Sequence, residues 1–517
     1  MAALRFAAAS ALLAASAAAS SGHSGGAHSH HSHSHSHHSH SHSHSHAHAD
    51  AHAHASPSHA HASPSGASAV APPQLLAAPL AMDRVALAPG SRFAAQRQRN
   101  LDYLLAMNAT DLLCEYTSAA NLTGSWNAPT CQKKDENGYW GHYMGHYVSA
   151  TAQLCNATGD AGACARNAEV VGRLAEVQAA WVATGLPEYQ PGFLYPYSIV
   201  SWTNLFGPPS RNCDPVCVPY YIFHKMLAGM LDSHTLAGSA QALDVALAMA
   251  AWVKRTVEEV LAAPNGPANW QDVLSTEWGG MNDALFNLAA ITGDEQWITT
   301  AYYFNHWSWS SPLAADVDDL PGNHANTHIP EIIGDARGFE LTGNSTKSAI
   351  AQNFWAFQVN HHSFATGNGN DGEHWGDADH MGDQLNSDTE ESCTTYNIVK
   401  VSRHLFSWSL NSTFLDHYER ALYNGLLGNQ ATTGPFDPSA HTTGFMQVSL
   451  CCRRTPPSSP NLTTHTTTTT AQLHASAGRR RADQALGRKQ PGSSVLLGNP
   501  ERVSAPHTHH PGPEARP

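Results

Sequence analysis

Between residues 87 and 429 the apolar positions recur at helical spacing. Leu101, Leu104 and Leu105 form one such set. Tyr143, Tyr147, Ala150 and Leu154 form another, followed by Met226, Leu227, Met230 and Leu231, by Leu243, Leu247, Ala250 and Trp252, and by Leu285, Leu288 and Ile291. Side chains three, four and seven apart share one helix face, so each set predicts an amphipathic helix turned toward a core. Alternating period-two stretches are few. Three of the helical runs end in related phrases, ATGD at 157–160, ITGD at 291–294 and LTGN at 341–344. A glycine just past a helix takes the left-handed cap, and the Asp or Asn after it caps the next helix. Helix, tight turn and helix, repeated over this length, predict an all-α array of hairpins, closed into a toroid or stacked as a solenoid. The aromatic and His content between repeats favours a toroid with a lined central cleft, where Trp and Tyr rings would stack on sugar faces.

Outside this region the periodicity stops. Residues 1–21 carry one positive charge at Arg5, a short Ala- and Leu-rich stretch and a small-residue exit, the layout of a secretory signal peptide. Six N-x-S/T sequons, at Asn108, Asn121, Asn156, Asn344, Asn411 and Asn461, fit a secreted chain. Residues 22–85 read as a disordered linker, first alternating His with Ser or Ala and then rich in Pro. Its imidazoles would hold Zn²⁺, Cu²⁺ or Ni²⁺ weakly at many points, or serve no function as a low-complexity expansion. The folded domain is assigned to 86–450. After Phe445 there is no aromatic residue other than His, and 451–517 read as a disordered tail unable to build a core. The 517 residues carry a formal charge of −14 with only 13% charged residues, which argues against nucleic acid and anionic membrane as main partners. No stretch is apolar for long enough to span a bilayer.

Several phrases carry chemistry. His142 and His146, four apart in GHYMGHY, share one helix face, and the pair suits ligand binding, core packing or a metal. His224 follows VPYYIF, and His324 stands in LPGNHANT, a phrase dense in hydrogen-bonding side chains. In EWGGMND, Glu277 and Asn282 read as a pocket edge. The loop GNGNDGEHW, 367–375, contains Glu373 beside His374 and Trp375; its glycines would let backbone approach a ligand, and its Glu would act as a proton donor. Glu391 and Cys393, two apart at a helix entrance, form half of a zinc site, and Cys451 with Cys452 would supply further thiolates. Nine Cys also permit local disulfides, Cys155 with Cys164 and Cys213 with Cys217.

In order along the chain, GHYMGHYVSATAQLCNATGD, VPYYIFHKMLAGMLD, EWGGMNDALFNLAAITGD, LPGNHANTHIPEIIGDARGFELTGN, NGNDGEHW, ESCTTYNIVKVSRHLF and YERALYNGLLGNQ resemble glycoside hydrolase family 127, the β-L-arabinofuranosidase-like proteins. The resemblance covers roughly residues 90–450. It implies an (α/α)6 toroid followed by β-sandwich domains, the latter apparently missing here. The implied activity is that of a secreted enzyme releasing non-reducing-end L-arabinofuranosyl residues, with retention, from arabinose-containing glycans or glycoproteins. It places Glu373 as acid/base, Cys451 as nucleophile, and Glu391, Cys393, Cys451 and Cys452 as ligands of a zinc ion. His142, His146, His224, Asn282 and His324 would face the sugar. A truncated, inactive toroid that only binds glycans is the alternative expectation.

Overall fold

The computed structural model describes residues 71–122, 141–207, 218–386 and 389–430. The signal-like start, the His tract, Cys213, Cys217, Cys451, Cys452 and everything after residue 430 lie outside the described residues, as does the side chain of His142. After a first helix, α1 (Arg92–Ala106), the long helices come in pairs: α2 (His142–Thr158) and α3 (Ala161–Ala183), α4 (Pro219–Ala237) and α5 (Ala240–Ala262), α6 (Met281–Thr292) and α7 (Gln296–Tyr303), α8 (Ala325–Thr342) and α9 (Ser345–His361), α10 (Ser392–Ser409) and α11 (Ser412–Ala421). The first member of each pair packs on the first member of the next, α2 on α4, α4 on α6, α6 on α8 and α8 on α10, while the second members lie outside them. This is the all-α toroid of hairpins expected from the periodicity. Three isolated β bridges join His324 with His374, Asp371 with His374, and Asp371 with Thr389.

The turns work as their residue types dictate. Gly159, Gly238, Gly293 and Gly343 all take positive φ, between 64° and 73°. Asp160, Ser239 and Asn344 then cap the following helices, accepting from the amides of Ala163, Ala242 and Thr346. The fifth turn lacks a glycine: Leu410 adopts φ 56° before the cap Asn411. The first hairpin is also closed by a disulfide between Cys155 and Cys164.

The core fills the space between inner and outer helices. Trp202, Trp252, Phe193 and Phe223 are fully buried there, with Trp202 and Trp252 in edge contact at 4.7 Å. Trp278 and Trp375 are core residues too, 1% and 2% exposed, so neither offers a sugar a stacking face. Residues 71–85, within the segment read as linker, pack onto the toroid: the amides of Leu76 and Ala77 donate to the Ser407 carbonyl at the C-terminal end of α10.

Inside the ring is a cavity of about 770 Å³. Its far end is lined by Leu75, Leu80 and Met82 of this N-terminal strap. Its near end, at the N-termini of the inner helices, is lined by His146, His224, Lys225, Gly280, Asn326 and Cys393.

Candidate active site

Two glycines set the approach of α2 to α4. A Cβ on Gly145 would fall 2.3 Å from the Lys225 carbonyl carbon, and one on Gly229 would fall 2.8 Å from the Gly145 oxygen. The backbones therefore touch, and His146 on α2 faces the same cavity as His224 and Lys225 on α4. Gly279 and Gly280 close over His224, whose Nδ1 is buried without a hydrogen-bond partner. Burial, helped by the charges of Lys225 and Lys400, holds its pKa well below the ordinary histidine value. His224 is thus a neutral ring carrying an unused polar nitrogen beside the cavity.

The loop between α9 and α10 supplies the acidic groups, and backbone pairing fixes its position. Gly322 donates to the Trp375 carbonyl, Trp375 to the Asn323 carbonyl, and Ala325, the first residue of α8, to the Glu373 carbonyl. Glu373 therefore sits on the N-terminus of α8 at φ 68°, a left-handed conformation that strains any residue but glycine. His324 caps α8 by accepting from the Thr327 amide through Nδ1, which leaves Nε2 to meet Glu373 Oε2 at 3.2 Å. Burial pulls the His324 pKa down, but the Glu373 hydrogen bond and the charges of Glu277, Glu373 and Glu391 outweigh it and raise the value overall.

One loop glycine and two loop asparagines serve packing. A Cβ on Gly369 would lie 1.5 Å from the His362 carbonyl oxygen, so this glycine serves backbone packing, not ligand approach. Asn368 and Asn370 are fully buried. Asn370 accepts from the amides of Glu390 and Glu391 through its carbonyl and side-chain oxygens, while Asn368 Nδ2 donates to the Glu391 carbonyl. Together they fix the entrance of α10. Glu391 and Cys393 meet there: the buried Cys393 thiol hydrogen-bonds to Glu391. Glu391 Oε2 is nevertheless buried with no hydrogen-bond partner. Burial and the neighbouring Glu373 charge push its pKa up to about 7. A carboxylate oxygen left unused beside a thiol is a donor set that fits a zinc ion.

Two further groups complete the cluster. Lys225 is 9% exposed, with Nζ 4.4 Å above the Tyr221 ring. Burial lowers its pKa to about 8 against the opposing influence of Cys393, Glu277 and Glu391. Burial raises Glu277, which senses His324, Lys225 and Glu373 in turn. Lys225 carries no sequence signal beyond its place beside His224. Asn282, expected to face the sugar, is 1% exposed, and its Nδ2 donates to the Glu331 carbonyl where α6 crosses α8 at Gly334. Its observed role is to brace two inner helices.

A separate group, His306, His328 and Glu331, brings three ligand-type side chains within 4.8 Å of one another. No residue of it was singled out in the sequence, because its members come from two segments more than twenty residues apart.

The sequence model described as β-L-arabinofuranosidase, GH127 catalytic domain, matches residues 84–437. Among solved structures, a GH127 β-arabinofuranosidase is 16% identical, with a TM-score of 0.48 over 65% of this chain and 53% of that one. A GH127 β-L-arabinofuranosidase from Geobacillus stearothermophilus T6 is also 16% identical, with a TM-score of 0.46 over 63% and 52% of the two chains. The chain spans about half the length of these structures. A search of the curated proteins gives no match.

Proposed function

The chain belongs to glycoside hydrolase family 127, and we propose that it is a secreted, retaining glycosidase that removes non-reducing-end L-arabinofuranosyl groups from glycans or glycoproteins. The observation that carries this reading is the acidic and basic cluster at the mouth of the toroid. There Glu373 is hydrogen-bonded to His324 and half exposed, within electrostatic reach of Glu391 and Glu277.

Glu373 is the acid/base. As the glycosidic C–O bond breaks, it gives its proton to the leaving oxygen while a thiolate attacks the anomeric carbon and forms a thioglycosyl link. The resulting carboxylate then takes a proton from water. That water attacks the same carbon, releases arabinose with its configuration kept, and frees the thiolate. The thiolate is assigned to Cys451, which lies outside the described residues. Glu391 and Cys393 would hold a zinc ion together with Cys451 and Cys452, and the ion, when bound, keeps thiols deprotonated at neutral pH. His146, His224 and Lys225 are assigned to the sugar hydroxyls. Export into an oxidising compartment is supported by the signal-like start and by the Cys155–Cys164 disulfide.

Incubation with a β-linked arabinofuranosyl oligosaccharide tests the reading. It predicts released arabinose, first detected by NMR as the anomer of the substrate. Binding without release, unchanged by Glu373→Gln, would replace it with a glycan-binding toroid.

A further inference from the structure

Helix α8 turns Asn326, Pro330, Ile333 and Arg337 to the central cavity. His328 and Glu331, three residues apart, lie on its other side, toward the turn that follows α7. That turn carries His306. His306 and Glu331 are 8% and 3% exposed, and neither belongs to the cluster assigned to the glycosidase reaction. His328 Nδ1 is 3.1 Å from Glu331 Oε1. His306 Nδ1 stands 3.6 Å from Glu331 Oε2, too far for a hydrogen bond, and is buried with no other partner. Two ligand atoms bound to one tetrahedral zinc at about 2.0–2.1 Å stand about 3.3 Å apart, close to this otherwise unexplained separation.

The surroundings of the two rings fit ligation. His306 Nε2 meets Ser308 Oγ at 2.9 Å. With the proton on Nε2, donated to that hydroxyl, the Nδ1 lone pair points into the cluster, as the outer partner of a metal-bound histidine requires. Trp309 stacks on His328 at 4.3 Å and 18°, which fixes the second ring. Glu331 is buried between the two imidazoles, where a divalent cation would balance a carboxylate. Two imidazoles and one carboxylate are ligands of the zinc class.

We propose that His306, His328 and Glu331 bind one divalent cation, of which zinc is the best match, with water as the remaining ligand and independently of Glu391 and Cys393. Binding would replace the His328–Glu331 hydrogen bond, the ring proton of His328 moving from Nδ1 to Nε2. The ion would tie the turn after α7 to inner helix α8. Phe304 of that turn packs on Trp278, the neighbour of Glu277, so the site would brace one wall of the catalytic cleft.

The test uses the full chain carrying Cys393→Ser, Cys451→Ser and Cys452→Ser, which removes the thiolate alternative. The protein is loaded with Zn²⁺ and dialysed against excess free histidine to strip the weak sites of the His tract. About one zinc per chain should remain, and zinc should raise the melting temperature. Adding His306→Ala, or Glu331→Gln as the variant that keeps the side-chain shape, should remove both the retained zinc and the shift. A chain with the three Cys→Ser changes that retains no zinc, or equal retention with and without His306 and Glu331, overturns the proposal.

Discussion

His324 Nε2 lies 3.2 Å from Glu373 Oε2, while the next residue, Ala325, donates its amide to the Glu373 carbonyl at 2.8 Å. One residue pair thus carries both a helix cap and the contact to the proposed acid/base, so Glu373 is positioned by the end of an inner helix and not by its loop alone. His324→Ala should lower kcat/KM by about 10²-fold without unfolding the toroid. The raised His324 pKa has a defined sign. A histidine whose folded pKa exceeds its unfolded value of about 6.5 contributes stability that is complete below that value and lost as pH rises through the folded pKa. The alkaline limb of the kcat/KM profile should therefore shift in His324→Ala. A profile of unchanged shape would show that His324 only supports structure.

Gly145 and Gly229 let α2 and α4 touch beside Lys225. Gly145→Ala should destabilise the chain by about 1–3 kcal/mol, since the added methyl meets backbone that cannot yield cheaply. Because Lys225 and His146 ride on the same contact, KM should rise more than the loss of stability alone explains. Urea unfolding and steady-state kinetics on the same preparation check both outcomes.

Leu410 occupies a left-handed turn position that glycine fills in the other four hairpins, and it is 50% exposed. Leu410→Gly should raise stability by about 1 kcal/mol, because relief of the Cβ clash exceeds the small burial lost. Thermal unfolding reads this directly, and a lower melting temperature would contradict it.

Buried His417 donates Nε2–H to the Gly367 carbonyl at 2.8 Å and accepts from Ser402 at Nδ1. Burial lowers its pKa to about 4 despite the Gly367 hydrogen bond, and Arg420 adds to the lowering. Between about pH 6.5 and 4 the unfolded chain binds a proton that the folded chain refuses. The stability present above pH 6.5 is lost as pH falls through this window, by an amount approaching about 3 kcal/mol. His417→Asn should flatten the acid side of the stability profile relative to its own value at neutral pH.

The sequence and the structure agree where one short signal sets one local geometry. The TGD and TGN phrases mark the left-handed glycines Gly159, Gly293 and Gly343 and the caps Asp160 and Asn344, so these turns are legible residue by residue. The Leu410 turn has no such signal, because tertiary packing imposes a backbone that the sequence disfavours. At the site, Glu373, Glu391 and Cys393 stand out as acid and thiol at loop and helix boundaries. Asn282, Asn368, Asn370 and Trp375 have the same polar or aromatic character but are spent on packing. Nothing in the composition of a phrase reveals which way its side chains point. Lys225 and the His306–His328–Glu331 group become visible only when distant segments are brought together.

The central claim is that Glu373 protonates the leaving group of a double-displacement reaction. Rapid-mixing kinetics of Glu373→Gln on two substrates tests it most directly: a β-L-arabinofuranosyl disaccharide, whose leaving group needs a proton, and a nitrophenyl β-L-arabinofuranoside, whose leaving group does not. The account predicts a loss of about 10²–10⁴-fold on the disaccharide. On the nitrophenyl substrate it predicts a near-normal first release of nitrophenol followed by slow turnover. Equal loss on both substrates without a burst, or no loss on either, would contradict it.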